Sequence, residues 1–259
     1  MSASRVRSVM ILTAALGGIA MPVPACDGND DAADGAVDAT VDSAPETDAT
    51  PADTAPLDTA LPFEVIQENK NLTNGARARV GHVIDGDTVQ VWVGTTAPHA
   101  YTIRMLGLAA PECNKDYRQT PDGSHLVCVA DDEYYGLRSY ELMKDLVEGK
   151  TLTITCDVAT GAWCETDPFD RYLAYLVTDD GKDAATELAR AGGGFSYTSF
   201  QASKRADICR AEYDARDSRR GMWALGSVDQ VLDGMSSDTR GWYRSNHDRR
   251  CNEAIAADP

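Results

Sequence analysis

Three short segments of this 259-residue chain set charge against apolar, strand-like sequence. They are Asp85-Gly86-Asp87-Thr88, the run from Arg104 to Glu112, and the run from Asp167 through Arg171 to Tyr175. Two arginines and several carboxylates on separate strands could converge on a phosphate. Guanidinium forks grip its oxygens, while carboxylates hold a hard cation or orient water. Phosphodiester hydrolysis needs that combination. Each segment also has a plainer reading. Asp-Gly is favoured in a hairpin turn; Arg104 could pair structurally with Glu112 or Asp170; Arg171 could form a surface ion pair with Asp167 or Asp170; Glu112 could cap a loop. An arginine in an otherwise apolar strand is costly without a partner, so Arg104 requires one on either reading.

The elements that would position these groups follow from pattern. Val80, Val83, Val89, Val91 and Val93 flank the Asp85–Asp87 turn and predict a hairpin. Tyr101 to Leu108 predicts a third strand, and Pro111 to Asp131 reads as a long, polar, cysteine-bearing loop that is either functional or stapled. Leu137, Tyr140, Leu142, Met143, Leu146 and Val147 recur at helical spacing ahead of Gly149. The tyrosines Tyr134, Tyr135 and Tyr140 are expected to pack around that helix. Two further strands, Thr151 to Val158 and Tyr172 to Thr178, precede helices at Asp183–Ala191 and about Ser203–Arg220, each stopped by glycine. Five short strands with an inserted helix and about three helices in all suggest an α+β chain built on a small closed barrel.

Composition bounds what such a barrel could do. With 41 acidic and 24 basic residues the formal charge is -17, so polyanions cannot be held by bulk positive charge, and a local cationic site or a metal must do that work. Residues 1–26 have the three-part layout of a secretory signal: Arg5 and Arg7, an apolar stretch, then small residues. Val23-Pro24-Ala25-Cys26 also resembles a lipobox, which would place a lipid anchor on Cys26. Residues 27–62 carry ten acids and no base, an acidic tether that cannot bury enough apolar surface to order itself. The folded domain is expected at 63–227, with a C-terminal extension at 228–259 that has little periodicity.

Export is expected, to the cell envelope as a lipoprotein or as a secreted protein. The remaining cysteines, Cys113, Cys128, Cys156, Cys164, Cys209 and Cys251, are an even set. Cys113 with Cys128 and Cys156 with Cys164 would each close a short loop, leaving Cys209 to tie down the tail through Cys251. Zinc is disfavoured, because there is no CxxC pair and the four histidines are scattered.

In the order and spacing of VIDGDTV, IRMLGLAAPE, DRYLAYL, ELARAG and RRGMW, residues 76–225 resemble the staphylococcal nuclease-like (thermonuclease) family, an oligonucleotide-binding (OB-fold) five-stranded barrel with added helices. The resemblance implies a calcium-dependent nuclease acting on DNA or RNA. A monomer is expected, no protein partner is inferred, and membrane contact is expected only through the lipid anchor. It implies that Asp87 ligates calcium with Asp85 in support and a backbone carbonyl from Ala110. Arg104 and Arg171 would bind the scissile phosphate and stabilise the charge that builds on it, and Glu112 would act as general base or align water. Phe169 and Tyr197 would contact nucleotide. The serious departure from the pattern is Ala109, which stands where the family usually carries a second calcium-ligating aspartate; Pro168 and Phe169 also replace the family's nucleotide-contacting lysine and tyrosine. The alternative this raises is a catalytically impaired barrel that only binds nucleic acid or another ligand.

Overall fold

A computed structural model of the protein describes residues 71–95, 98–121, 123–157 and 163–258, all within the unit Pro56–Pro259. The expected signal segment, the expected lipidation site at Cys26 and the expected acidic tether lie outside the described residues. Valine-rich sequence on either side of Gly86 folds back on itself: β1 (Arg77–Asp85) pairs antiparallel with β2 (Thr88–Val93), and β2 with β3 (His99–Met105). Val80, Val83, Val89, Val91, Ile103 and Met105 are buried together; β2 and β3 follow the two-residue period of a pleated strand, and a register irregularity in β1 between Val80 and His82 returns Val83 to the buried face. Two-residue β4 (Leu108–Ala109) follows. The chain then runs through β5 (Cys113–Thr120), β6 (Gly123–Asp131), α1 (Gly136–Val147), β7 (Thr151–Thr155) and β8 (Tyr172–Val177). β8 lies parallel to β3, and β7 joins β8 to β1, so the order β1-β2-β3-β8-β7 closes into a five-stranded barrel.

The segment from Pro111 to Asp131 is not a loop. It is an antiparallel hairpin, β5 with β6, stapled by Cys113–Cys128. Most of β5 is exposed, so its residues show no apolar alternation and the strand is held by backbone pairing instead. In a chain-entropy treatment, closing a loop of about 15 residues stabilises by roughly 3 kcal/mol. Cys156–Cys164 and Cys209–Cys251 also pair as the spacing suggested.

The C-terminal half forms α2 (Ala184–Arg190), β9 (Phe195–Ser196, paired with β4), α3 (Arg205–Asp217), a 3-10 turn (Gly221–Leu225), α4 (Val228–Asp233) and α5 (Ser237–Ala257). The described residues thus hold five α-helices rather than about three. The two additional helices lie in the segment where no periodicity was legible. α5 buries only Tyr243, His247 and Cys251 along its length, so it is positioned by specific contacts and not by a continuous apolar stripe.

Those contacts centre on Glu212 of α3, which is fully buried. Its carboxylate accepts the Ser196 backbone N–H at 2.9 Å and the Tyr243 hydroxyl, and pairs with His247 Nε2 at 3.0 Å. His247 Nδ1 meets Asp248 at 3.0 Å, the imidazole stacks on Tyr243 with ring centroids 3.9 Å apart, and Arg216 bridges Asp248 at 2.9 Å.

Burial works against a charged His247, but Glu212 and Asp248 outweigh it, and the imidazole pKa lies above its ordinary value. The folded state therefore holds this proton more tightly than the unfolded chain. The resulting stabilisation is complete below about pH 6.5 and is lost as pH rises through the higher folded value. Calorimetric melting temperatures are expected to fall as pH rises from neutrality, and His247→Gln to remove that part of the slope. An identical slope in the variant would refute the assignment.

Candidate active site

The β1–β2 turn brings two carboxylates to one end of the barrel, and the contacts around it explain why Gly86 lies between them. A Cβ at Gly86 would fall 2.1 Å from Ser139 Oγ and 2.6 Å from the Ala110 Cβ, so only glycine lets the turn approach α1 and the segment just after β4. Asp87 is buried and fully engaged. Its Oδ1 accepts the Thr88 hydroxyl at 3.1 Å; its Oδ2 accepts the Ala110 backbone N–H at 2.8 Å and pairs with Arg104 Nη1 at 2.6 Å. The partner Arg104 requires is thus Asp87, not Glu112 or Asp170. Burial pushes the Asp87 carboxyl up to about 7; Arg104 opposes the rise, and neighbouring Asp85 and Glu112 add to it.

Asp85 turns its Oδ1 to the Asp87 backbone N–H at 3.1 Å and its Oδ2 to Lys115 Nζ at 2.9 Å. Burial acts to raise this carboxyl, but the Lys115 ammonium, with Arg104, outweighs it and holds the group below the ordinary carboxylate range. Lys115, on β5, also reaches Glu112 Oε2 at 3.2 Å. The Glu112 side chain is 57% exposed, so it stays accessible to water while its backbone is fixed. Its N–H donates to Glu133 Oε2 at 3.0 Å, and its carbonyl accepts the Glu133 N–H at 2.9 Å. A Cβ at Gly136 would fall 1.9 Å from that carbonyl oxygen, so the start of α1 can pass there only as glycine.

Glu133 carries the support outward. Its Oε1 accepts the Ser236 N–H at 2.7 Å and the Thr239 hydroxyl at 2.9 Å, linking the Glu112 backbone to the first turn of α5. Burial acts to raise the Glu133 carboxyl, but these donors outweigh it and lower its pKa, keeping it ionised.

Arg171 directly precedes β8, whose register sets Leu173 beside Arg104. Arg104 therefore lies in β3 and Arg171 just ahead of the parallel neighbour β8. Arg171 is held separately, through Nε and Nη2 to Asp167 Oδ2 at 2.8 and 2.7 Å, so its surface-pair reading is met by Asp167. Among the described residues it has no contact with the Asp85–Asp87–Arg104–Lys115–Glu112 cluster. Phe169 is 78% exposed, with the Arg171 guanidinium 5.5 Å from its ring centroid, a cation–π distance. Tyr197 packs edge-on to Trp242 of α5 at 5.0 Å and beside Phe200 at 5.6 Å. A cleft of about 720 Å³ opens beside Leu173, with Leu106, Asp157, Glu165 and Phe200 in its walls.

Lys115 and Glu133 were not singled out from sequence. Lys115 lies in a polar stretch without pattern, and its one local clue is its place two residues after Cys113. Glu133 acts on Glu112 and Ser236, 21 and 103 residues away, for which no local signal exists.

Residues 102–225 match the family model described as Staphylococcal nuclease homologue. They form a staphylococcal nuclease homologue domain. Over 146 residues the chain is 29% identical to a protein named "Uncharacterized endonuclease" from Escherichia coli O157:H7, and equally to one of the same name from Escherichia coli. Each alignment covers 56% of this chain and 76% of the relative. The matched range of the nuclease homologue domain begins in β3 and contains Arg104, Glu112 and Arg171. Asp85 and Asp87 precede it in sequence and are joined to it through the β2–β3 register and the Arg104–Asp87 pair.

Whether these residues fit calcium depends on their free oxygens. Both oxygens of Asp85 and both of Asp87 already accept protein donors, and Ala109 is buried in an apolar cluster with Phe195, Met222 and Trp223. The contact of Ala110 with Asp87 is made through its N–H. Among the described residues, the three potential ligand side chains whose atoms gather within 4.8 Å of one another are Glu212, His247 and Cys251, and that cysteine is spent in a disulfide. Calcium takes six to eight oxygens, and the set as folded does not offer them.

Proposed function

We propose that this chain is an exported nuclease that hydrolyses phosphodiester bonds of DNA or RNA. The observation that carries the reading is the Arg104 guanidinium fixed on buried Asp87 within the same charged cluster as the accessible carboxylate of Glu112. Arg104 in β3 and Arg171 at the entry to neighbouring β8 would grip the non-bridging oxygens and stabilise the charge that accumulates on them in the transition state. Glu112 Oε1, the oxygen not engaged by Lys115, would take the proton of the attacking water. Phe169 would stack on a base, and the cleft beside Leu173 would receive the nucleotide. Each oxygen of Asp85 and Asp87 already accepts a protein donor and would meet a calcium ion only with its remaining lone pairs, so no step is derived from that ion.

Three disulfides support export to an oxidising compartment. A lipid anchor at Cys26 would then hold the domain at a membrane surface through its acidic tether, with nucleic acid as its partner and no second subunit required.

The second reading, a barrel that binds nucleic acid without cleaving it, is favoured by Ala109. Incubating the purified chain with DNA and with RNA, and resolving the products, separates the two. New termini indicate hydrolysis; a mobility shift with intact strands selects the binding module.

A further inference from the structure

Lys115 is the one ammonium in a cluster of three carboxylates, and its position is built, not incidental. It lies two residues after Cys113, opposite Cys128 in the β5–β6 register, so the Cys113–Cys128 disulfide pins the root of its side chain. From there Nζ reaches Asp85 at 2.9 Å and Glu112 at 3.2 Å, bridging the turn of the barrel to the accessible acid. A lysine ammonium has three protons to donate. Two go to these carboxylates, and among the described residues the third has no partner. The side chain is 24% exposed, so that proton can face a bound anion.

We propose that Lys115 is the resident cation of this site, taking the place between Asp85 and Glu112 that a divalent ion would need, so that cleavage proceeds without a divalent metal. This rests on the hydrolase reading above. Asp85, Asp87 and Glu112 supply at most three negative charges, and Arg104 with Lys115 supplies two positive ones. A divalent ion entering the same carboxylates would have to displace an ammonium at hydrogen-bond distance and would meet its repulsion. In the reaction a water oxygen bonds to phosphorus as the phosphorus–oxygen ester bond breaks. Glu112 takes the water proton and returns it to solvent, and the departing alkoxide is protonated from bulk water. Lys115 exchanges no proton; it orients Glu112 and donates its third N–H to a phosphate oxygen.

The test uses the full chain, calcium alone as the titrant, and two readouts. By calorimetry, wild type is expected to show no saturable calcium binding up to about 1 mM, the weak end of extracellular calcium modules. Its cleavage rate is expected to be unchanged by a chelator. Lys115→Met, with Asp85 and Glu112 released, should gain calcium binding and lose on the order of 100-fold in chelator-resistant cleavage. Lys115→Arg, which keeps the charge, should retain most of that cleavage without gaining the ion.

Saturable calcium binding by wild type overturns the proposal, as does chelator-resistant cleavage by Lys115→Met at the wild-type rate. If wild type cleaves nothing under any condition the hydrolase reading fails instead. The calcium titrations then still decide the cation: gain of binding in Lys115→Met alone upholds it, and equal behaviour of the two chains rejects it.

Discussion

Arg104→Met is expected to lower turnover on the order of 100-fold or more while leaving the protein folded. The first part follows from removing a positioned donor from the transition-state charge, where single oxyanion donors have effects of that size. The second follows from the partner left behind. Asp87 is buried against Arg104, and an unpaired buried carboxylate would ordinarily be destabilising. Burial, however, already pushes this carboxyl up to about 7, so without the guanidinium it can take a proton near neutrality and keep its hydrogen bonds to Thr88 and Ala110. Single-turnover cleavage and a far-ultraviolet melt on the same preparation test both parts. Turnover within a few-fold of wild type would remove Arg104 from the chemistry, and collapse of the melt would show it to be structural. Arg104→Lys should recover little, because one ammonium cannot reproduce a two-pronged grip on phosphate oxygens.

Glu212→Leu is the substitution expected to be most damaging to stability, by about 3–5 kcal/mol. The carboxylate satisfies the Ser196 N–H, the Tyr243 hydroxyl and the His247 imidazole together, all in a buried layer. Leucine fills the volume but leaves those donors with no acceptor and removes the anion that keeps His247 charged. For a folded region of this size the melting temperature should drop by on the order of 10 °C. The consequence should reach the site. Ser196 lies in β9, which pairs with β4, and β4 leads directly to Ala110 and Glu112. Cleavage should therefore fall at temperatures where wild type is still active, while Cys209–Cys251 keeps α5 tethered to α3. A melting temperature within a degree or two of wild type would show that the layer is held by the disulfide and apolar contacts alone.

The two variants divide the molecule as its sequence does. The barrel strands were legible because β-branched residues cluster on both sides of Gly86, in β2 at a two-residue period. Of the fifteen pairings six cysteines allow, short loops favoured Cys113–Cys128 and Cys156–Cys164, and Cys209–Cys251 was the remainder. Arg104 announced itself as a charge in apolar surroundings. These properties are local, set by a residue and its near neighbours along the chain.

What tertiary structure decided was mostly long-range and polar. That Pro111–Asp131 is a hairpin depends on backbone pairing between two exposed strands, which leaves no apolar signature. That 228–259 contains α4 and α5 depends on three buried side chains and a carboxylate on another helix. Which cation faces which acid is decided by the fold whether the pair is near or far in sequence: Arg104 takes Asp87, 17 residues away, Arg171 takes Asp167 at i,i+4, and Lys115 closes the gap between distant Asp85 and nearby Glu112. Hydrophobic burial is written in sequence because it acts on every residue of a face at once. The pairing of individual charges is not, because it is settled only when the fold sets their distances to within an ångström or two.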